Sequence, residues 1–153
     1  MGGVGRAIAW LSRELARALG AIELSPPQYR VLILLSDGSA VSSDVAERLA
    51  VSRPTVTSVV DGLVNRGLVE RRHSEDDRRR VTLKLTTAGS KLLTRADRAL
   101  DDVLCDLASE LADVELIDQA FAGLQLWGEA LAARHASLSL DRSGDRQTSD
   151  VDR

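Results

Sequence analysis

Cysteine, histidine and aromatic residues are scarce in this chain of 153 residues. Cys105 is the one cysteine, so no intramolecular disulfide can form, and a reducing cytoplasm is the expected compartment. The two histidines lie far apart and no CxxC motif is present, so the sequence predicts neither a zinc site nor another cofactor. Aromatic residues make up 3% of the chain, which means that the core must be aliphatic.

Long apolar runs are also missing. No run approaches the roughly 18 residues that a membrane span requires, so no membrane association is expected. Charged side chains, among them Arg6, Arg13 and Glu14, interrupt the N-terminal segment, which therefore lacks the apolar stretch of a signal peptide. A hydrophobic fraction of 44% and a charged fraction of 28% are ordinary for a globular protein.

The charge is unevenly distributed along the chain. The net charge is −3, but the segment from Arg53 to Lys84 holds eight basic and five acidic residues. A locally basic segment is what a phosphate-bearing partner requires, whatever the sign of the total.

Apolar spacing predicts four helices in the first half of the chain. The first covers Val4 to Leu19, and the second starts after Ser25, which is positioned to form a capping box with Gln28. The third covers Ser42 or Ser43 to Ala50. The fourth follows Ser52 as N-cap, with Pro54 in its first turn and an apolar stripe of Val56, Val59, Val60, Leu63 and Val64.

The period then changes to that of strands. Leu68 to His73 and Val81 to Thr86 predict a hairpin, closed by a charged loop that contains Asp77, Arg78, Arg79 and Arg80. A long helix from Thr86 or Thr87, a last helix capped by Asp113, and a disordered tail from Ser137 complete the pattern. The stripe from Leu92 to Leu111 could belong to a monomeric core, but a second copy of the chain is the more economical cover for the last two helices.

The face of the fourth helix opposite its valines carries short polar side chains. It presents Arg53, Thr55, Thr57 and Ser58, which would allow the helix to approach bases in a major groove. The three consecutive arginines of the hairpin loop suit phosphate and minor-groove contact, although alone they could form a solvated turn. Gly62 is explained equally well by close approach to a partner or by packing between helices.

Residues 43–89 resemble the DNA-binding core of the MarR (multiple antibiotic resistance regulator) family. The resemblance rests on the helix-turn-helix, GLVERR at residues 67–72, the Asp77-Arg78-Arg79 wing and VTLKLTTAG at residues 81–89, and it extends over roughly residues 4–136. It implies a mainly α (α+β) fold, a winged helix-turn-helix with flanking dimerisation helices. The implied division is residues 1–20 and 87–136 for dimerisation, 21–86 for DNA binding and 137–153 for the disordered tail.

The resemblance also implies a function: a cytoplasmic, ligand-responsive repressor that binds pseudo-palindromic double-stranded DNA as a homodimer, and not an enzyme. Asp77 would buttress Arg79 in the minor groove, although Asp77 could pair with another arginine. The residues expected to contact DNA are Ser42, Ser43, Ser52, Arg53, Thr55, Thr57, Ser58, Arg71, Arg78, Arg79 and Arg80. A winged-helix module that binds protein and not DNA is the alternative.

Ligand response would need a site for a small aromatic or lipophilic effector. Trp10, Tyr29 and Arg30 lie on helices that would border such a site, although packing explains the two aromatics and an ion pair explains Arg30 equally well. Cys105 is read as a small buried hydrophobe, because it lies beside the apolar stripe. No partnered base or phosphate loop supports catalysis by Cys105.

Overall fold

The computed structural model describes residues 3–49, 51–73 and 81–148, without the side chains of residues 42, 43, 73 and 135–148. It contains six helices and three strands within these ranges. In chain order they are α1 Val4–Ala21, α2 Pro26–Ser36, β1 Ala40–Val41, α3 Ser42–Arg48, α4 Arg53–Asn65, β2 Val69–His73, β3 Val81–Leu85, α5 Thr87–Ser109 and α6 Val114–Thr148. They fall into two compact units, Met1–Cys105 and Asp106–Arg153.

Local capping chemistry sets the start of α2. The Ser25 hydroxyl accepts a hydrogen bond from the Gln28 backbone N–H at 3.4 Å, and the Gln28 side chain accepts from the Ser25 N–H at 3.0 Å. These two bonds satisfy two of the N–H groups that a helix start leaves without partners. The predicted capping box is therefore confirmed.

The three strands form an antiparallel sheet in the order β1-β3-β2. The predicted hairpin is confirmed: Val69 lies opposite Leu85, and His73 lies opposite Val81. Strand β1, which pairs Ala40 with Leu83, has no counterpart in the pattern of the sequence. Two residues are too few to show the alternation by which strands are recognised.

The core of the first unit is aliphatic, as the composition predicts. It is formed by residues from α1 to α5, the loop before α2 and the sheet, and the largest fully buried side chains are Leu24, Leu32, Leu63, Leu83, Val31, Val45, Val60 and Val69. Complete burial of a side chain of this size stabilises the fold by about 1.5–3 kcal/mol. This core holds α4 against α2 and the sheet.

The base of the hairpin is joined to the start of α5. The Thr86 hydroxyl donates to the carbonyl of Gly67 at 2.7 Å and accepts from the N–H of Gly89 at 3.0 Å. Gly89 is buried, and a Cβ built on it would lie 2.1 Å from the Leu68 carbonyl oxygen. Only glycine allows the backbone of α5 to approach β2 this closely.

The second unit differs from the sequence analysis at its end. Asp113 caps α6, as predicted, by accepting from the Glu115 N–H at 3.0 Å. The helix continues to Thr148, whereas the sequence analysis expected disorder from Ser137. No proline lies between these two residues, so the backbone of the segment can continue the helical hydrogen bonding. Residues 149–153 lie outside the described residues.

One further expectation was wrong. Cys105 is exposed and not buried. Its neighbour Leu104 is half-buried. Adjacent residues on a helix point about 100° apart, so a position beside an apolar stripe need not share its burial.

Candidate nucleic-acid interface

The start of α4 is fixed by hydroxyl groups. The Ser52 hydroxyl accepts from the Thr55 N–H at 3.4 Å and lies 2.7 Å from the Thr55 hydroxyl. Ser52 is therefore the predicted N-cap, and Pro54 occupies the first turn, where a missing N–H costs nothing. The exposed Arg53 stands at this end of the helix, where the helix dipole favours an anion.

Two opposite faces divide α4. Val56, Val60 and Leu63 are buried with exposed fractions of 3%, 0% and 0%. The opposite side chains are exposed, and we call them the reading face: Arg53, Thr55, Thr57 and Ser58. Because their neighbours Val56 and Val60 are locked in the core, the reading face is held in one orientation.

The hydroxyl groups of the reading face differ in their partners. Thr57 donates to the carbonyl of Arg53 at 3.0 Å, which leaves its oxygen free to accept. Within the described residues the Ser58 hydroxyl has no hydrogen-bond partner, so it can donate and accept outward. Short side chains with free donor and acceptor positions are what the base edges of a major groove require.

An ion pair connects α4 to the hairpin. The guanidinium of Arg71 on β2 pairs with the carboxylate of Asp61 on α4, and the two side chains are 37% and 48% exposed. Arg71 thus joins strand to helix, and its predicted contact with DNA stays a prediction. On the same strand, Arg72 pairs with Glu70 at 2.8 Å.

The surroundings of Gly62 do not require glycine. A Cβ at this position would lie 3.4 Å from the side-chain nitrogen of Gln28 on α2, which is an ordinary van der Waals distance. Gly62 is half-buried. Both explanations for this glycine, close approach to a partner and packing between helices, therefore stay predictions.

Several predicted site residues lie outside the described residues. These are the wing residues Asp77, Arg78, Arg79 and Arg80, and the side chains of Ser42 and Ser43. The backbone places Ser42 and Ser43 in the first turn of α3. The predicted DNA contacts of the two serines and the three arginines, and the pairing of Asp77 with Arg79, stay predictions.

The three residues expected near an effector have different surroundings. Tyr29 is half-buried and donates to Asp97 on α5 at 2.8 Å. Burial, followed by the hydrogen bond to Asp97 and the charges of Asp97 and Asp101, raises the pKa of the Tyr29 phenol well above its ordinary value. Trp10 is 70% exposed and Arg30 is exposed, so in the single chain the three do not line one enclosed site.

Metal sites and membrane spans are absent from the same described part of the chain. It holds no group of three or more histidine, cysteine, aspartate or glutamate side chains arranged to bind a metal ion. None of its helices has the length and apolar character needed to cross a lipid bilayer.

A helix-turn-helix followed by an antiparallel hairpin defines the winged-helix class, and the predicted fold is confirmed. The sequence profile of the MarR family matches residues 22–80, the part of the chain from the end of α1 to the hairpin loop. The family and the relatives below are regulators and not enzymes.

Two curated proteins of Bacillus subtilis are similar over the same part of the chain. The uncharacterized HTH-type transcriptional regulator YfiV is 40% identical over 72 residues, which cover 46% of this chain and 45% of YfiV. The HTH-type transcriptional repressor YetL is 36% identical over 73 residues, which cover 46% of this chain and 44% of YetL. The similarity thus spans a little under half the length of each relative.

A solved structure extends the similarity to most of the chain. A point mutant of Staphylococcus aureus MepR, bound to an oligodeoxyribonucleotide, is 25% identical and superposes with a TM-score of 0.64. The match covers 85% of this chain and 96% of the MepR chain.

Proposed function

We propose that this protein is a sequence-specific, DNA-binding transcriptional regulator. The observation that carries the proposal is the reading face, in which exposed hydroxyl and guanidinium groups are backed by fully buried valines and joined to the hairpin through Asp61 and Arg71. Rigid presentation of short polar side chains suits direct contact with base edges. The DNA-bound structure of MepR supports the same use of this fold.

The division of labour along the chain follows from this proposal. Residues 21–86 bind DNA, residues 1–20 and 87–136 dimerise, and the arginines of the wing enter the minor groove, with Arg79 buttressed by Asp77. The boundary between the two compact units lies after Cys105 and not after residue 86, because Leu92, Leu93 and Ala96 of α5 are buried in the first unit. The first turns of α5 therefore support the DNA-binding core as well as the dimer.

A homodimer is the proposed active form. Large apolar side chains remain exposed in the single chain: Val4, Ile8 and Trp10 on α1, and Val114, Leu116, Leu124, Leu126, Trp127 and Leu131 on α6. Exposed apolar surface of this extent is typical of an interface, and a second copy related by a two-fold axis would cover it. Two reading faces would then meet successive turns of a pseudo-palindromic operator.

Repression in the cytoplasm and response to a small aromatic or lipophilic acid belong to the same proposal. The name of YetL as a repressor supports repression. Ligand response rests on the family resemblance, since Trp10, Tyr29 and Arg30 line no enclosed site in the single chain. In one conformation of the dimer, the two reading faces would be too close or too far apart to bind DNA. An effector that binds this conformation more tightly would increase its population and so release DNA.

The experiment that tests the proposal compares two matched threonines. Thr57 and Thr94 are both exposed, and each donates to the carbonyl four residues earlier, at 3.0 and 3.2 Å. The purified protein is first used to retain genomic fragments, and these are sequenced to find the preferred site. Thr57→Ala should weaken binding to that site by about tenfold, about 1.4 kcal/mol, and change the preferred bases.

Thr94→Ala is the control and should leave both affinity and sequence preference unchanged. If no fragment is enriched, or if binding is insensitive to salt, the protein is not a DNA-binding regulator, and the protein-interaction module is favoured. If Thr57→Ala and Thr94→Ala behave alike, the reading face does not contact bases.

A further inference from the structure

A groove lies at the base of the hairpin, and no residue of the reading face lines it. Its volume is about 470 Å³, within the range of roughly 300–1,000 Å³ that is typical of small-molecule sites. Its walls come from the end of α2 and the loop after it, the end of β3 and the first turn of α5. The lining residues are Leu35, Ser36, Gly38, Ser39, Lys84, Leu85, Thr86, Thr87, Ser90 and Lys91.

Both lysines of the chain line this groove. Lys84 and Lys91 are both exposed. Apart from the histidines, the other basic residues of the chain are arginines. Among the described residues neither lysine forms an ion pair. Glu70 is opposite Lys84 in the sheet, but its carboxylate is held by Arg72 at 2.8 Å. Two lysines thus line one groove, and neither has a carboxylate partner in the described part of the chain.

Hydroxyl groups complete the polar lining. Ser36 and Thr86 already donate to backbone carbonyls, of Ile33 and Gly67 respectively. Ser39, Thr87 and Ser90 are exposed, and their side-chain hydroxyls have no hydrogen-bond partner among the described residues. Their hydroxyl groups are available to a molecule in the groove.

We propose that this groove binds a small phosphate monoester. Two ammonium groups match the charge of close to −2 that a phosphate monoester carries at neutral pH, whereas a carboxylate carries one charge. Lysine binds phosphate as a point charge, and serine and threonine hydroxyls donate to its oxygens. The half-buried Leu85 offers an apolar surface to the remainder of the molecule. This site is independent of the proposed DNA-binding function.

The test is a titration of the isotope-labelled full chain with inorganic phosphate, followed by nuclear magnetic resonance, with sodium chloride at equal ionic strength as the reference. We expect saturable shifts of the backbone amides of Ser39, Thr87, Ser90 and Lys91. The double variant Lys84→Gln/Lys91→Gln should raise the dissociation constant at least tenfold. Arg95→Gln/Arg98→Gln removes the same charge from exposed positions on α5 outside the groove and should change it less than twofold.

Shifts that do not saturate, that sodium chloride reproduces, or that persist in the lysine variant would overturn the proposal. A second arm tests DNA as the source of the phosphate, by measuring how DNA affinity depends on salt. If the lysines hold the DNA backbone, the lysine variant should flatten the slope by about one per lost contact. A flatter slope without a loss of phosphate binding would also overturn the free-ligand site. An unchanged slope together with lost phosphate binding supports it.

Discussion

Asp61 and Arg71 show how single residues position the reading face. Both side chains are more than one third exposed, so their pairing contributes little to stability, at most about 1 kcal/mol. Its effect is geometric, because it joins the middle of α4 to the strand that leads into the hairpin loop. The pair is therefore one direct contact between β2 and α4, in addition to the packing of the core.

Gly89 is the residue whose replacement we expect to be most disruptive to the hairpin base. The Cβ of Gly89→Ala would lie 2.1 Å from the Leu68 carbonyl oxygen and 2.8 Å from Leu85, so α5 must move away from β2. We expect a loss of about 1–3 kcal/mol in the free energy of unfolding, measured by urea denaturation at fixed protein concentration.

Gly20→Ala is the matched control for this measurement. Gly20 lies in α1, and a Cβ there meets nothing within 4 Å. Alanine should therefore be neutral or stabilise the protein by about 0.5–1 kcal/mol. An equal effect of the two substitutions would show that the close contact at Gly89 does not constrain the fold.

At the scale of elements, short-range signals in the sequence were sufficient for most boundaries. Ser25, Ser52 and Asp113 act within three residues of their positions, so their capping roles could be predicted. The strand β1 could not, because its existence depends on pairing with Leu83, more than forty residues later. The length of α6 was also missed, since a polar composition does not by itself end a helix.

The same limit applies to the candidate site: its local features could be predicted from the sequence, but its contacts between separate elements could not. The exposed face of α4 followed from the period of its valines, which is a local property. The partner of Arg71 did not follow, because Asp61 lies ten residues earlier on a different element. The two-lysine groove was missed for the same reason, since Leu35 and Lys91 are brought together only by the tertiary fold.

Tyr29 joins two elements, α2 and α5, through Asp97. Because the fold raises the pKa of the phenol above its ordinary value of about 10, the folded state holds the proton at pH values where the unfolded state loses it. The resulting stabilisation is complete below about pH 10 and is lost as the pH rises further. Tyr29→Phe should therefore remove part of the alkaline decline in stability.

The measurement is the free energy of unfolding of both proteins across about pH 8–11. At neutral pH we expect Tyr29→Phe to cost about 1 kcal/mol for the lost hydrogen bond, and the difference should shrink above about pH 10. A difference that is constant across this range would mean that Tyr29 does not titrate as the structure implies.

At the scale of the whole molecule, the exposed apolar side chains of α1 and α6 are expected to be buried against a second copy of the chain. Trp127 is 72% exposed in the single chain, so its replacement should not disturb a monomer. In the proposed dimer, Trp127→Glu places a charge in a desolvated interface. We expect a shift from dimer to monomer in sedimentation velocity and a loss of at least tenfold in affinity for a two-half-site operator.

Glu129→Gln, at an exposed position on the same helix, should leave both properties unchanged. A Trp127→Glu protein that remains dimeric would place the interface elsewhere. A wild-type protein that sediments as a monomer would remove the dimer from the proposed function while leaving the groove at Lys84 and Lys91 untouched.

The hydroxyl of Thr86 has a mechanical consequence. It bonds both to the turn between α4 and β2, through the Gly67 carbonyl, and to the first turn of α5, through the Gly89 N–H. No flexible joint therefore separates the long helix from the hairpin. A rotation of the first turn of α5 would therefore also rotate the wing strands β2 and β3. In the proposed dimer, the angle between the two wings would then depend on the directions of the two α5 helices.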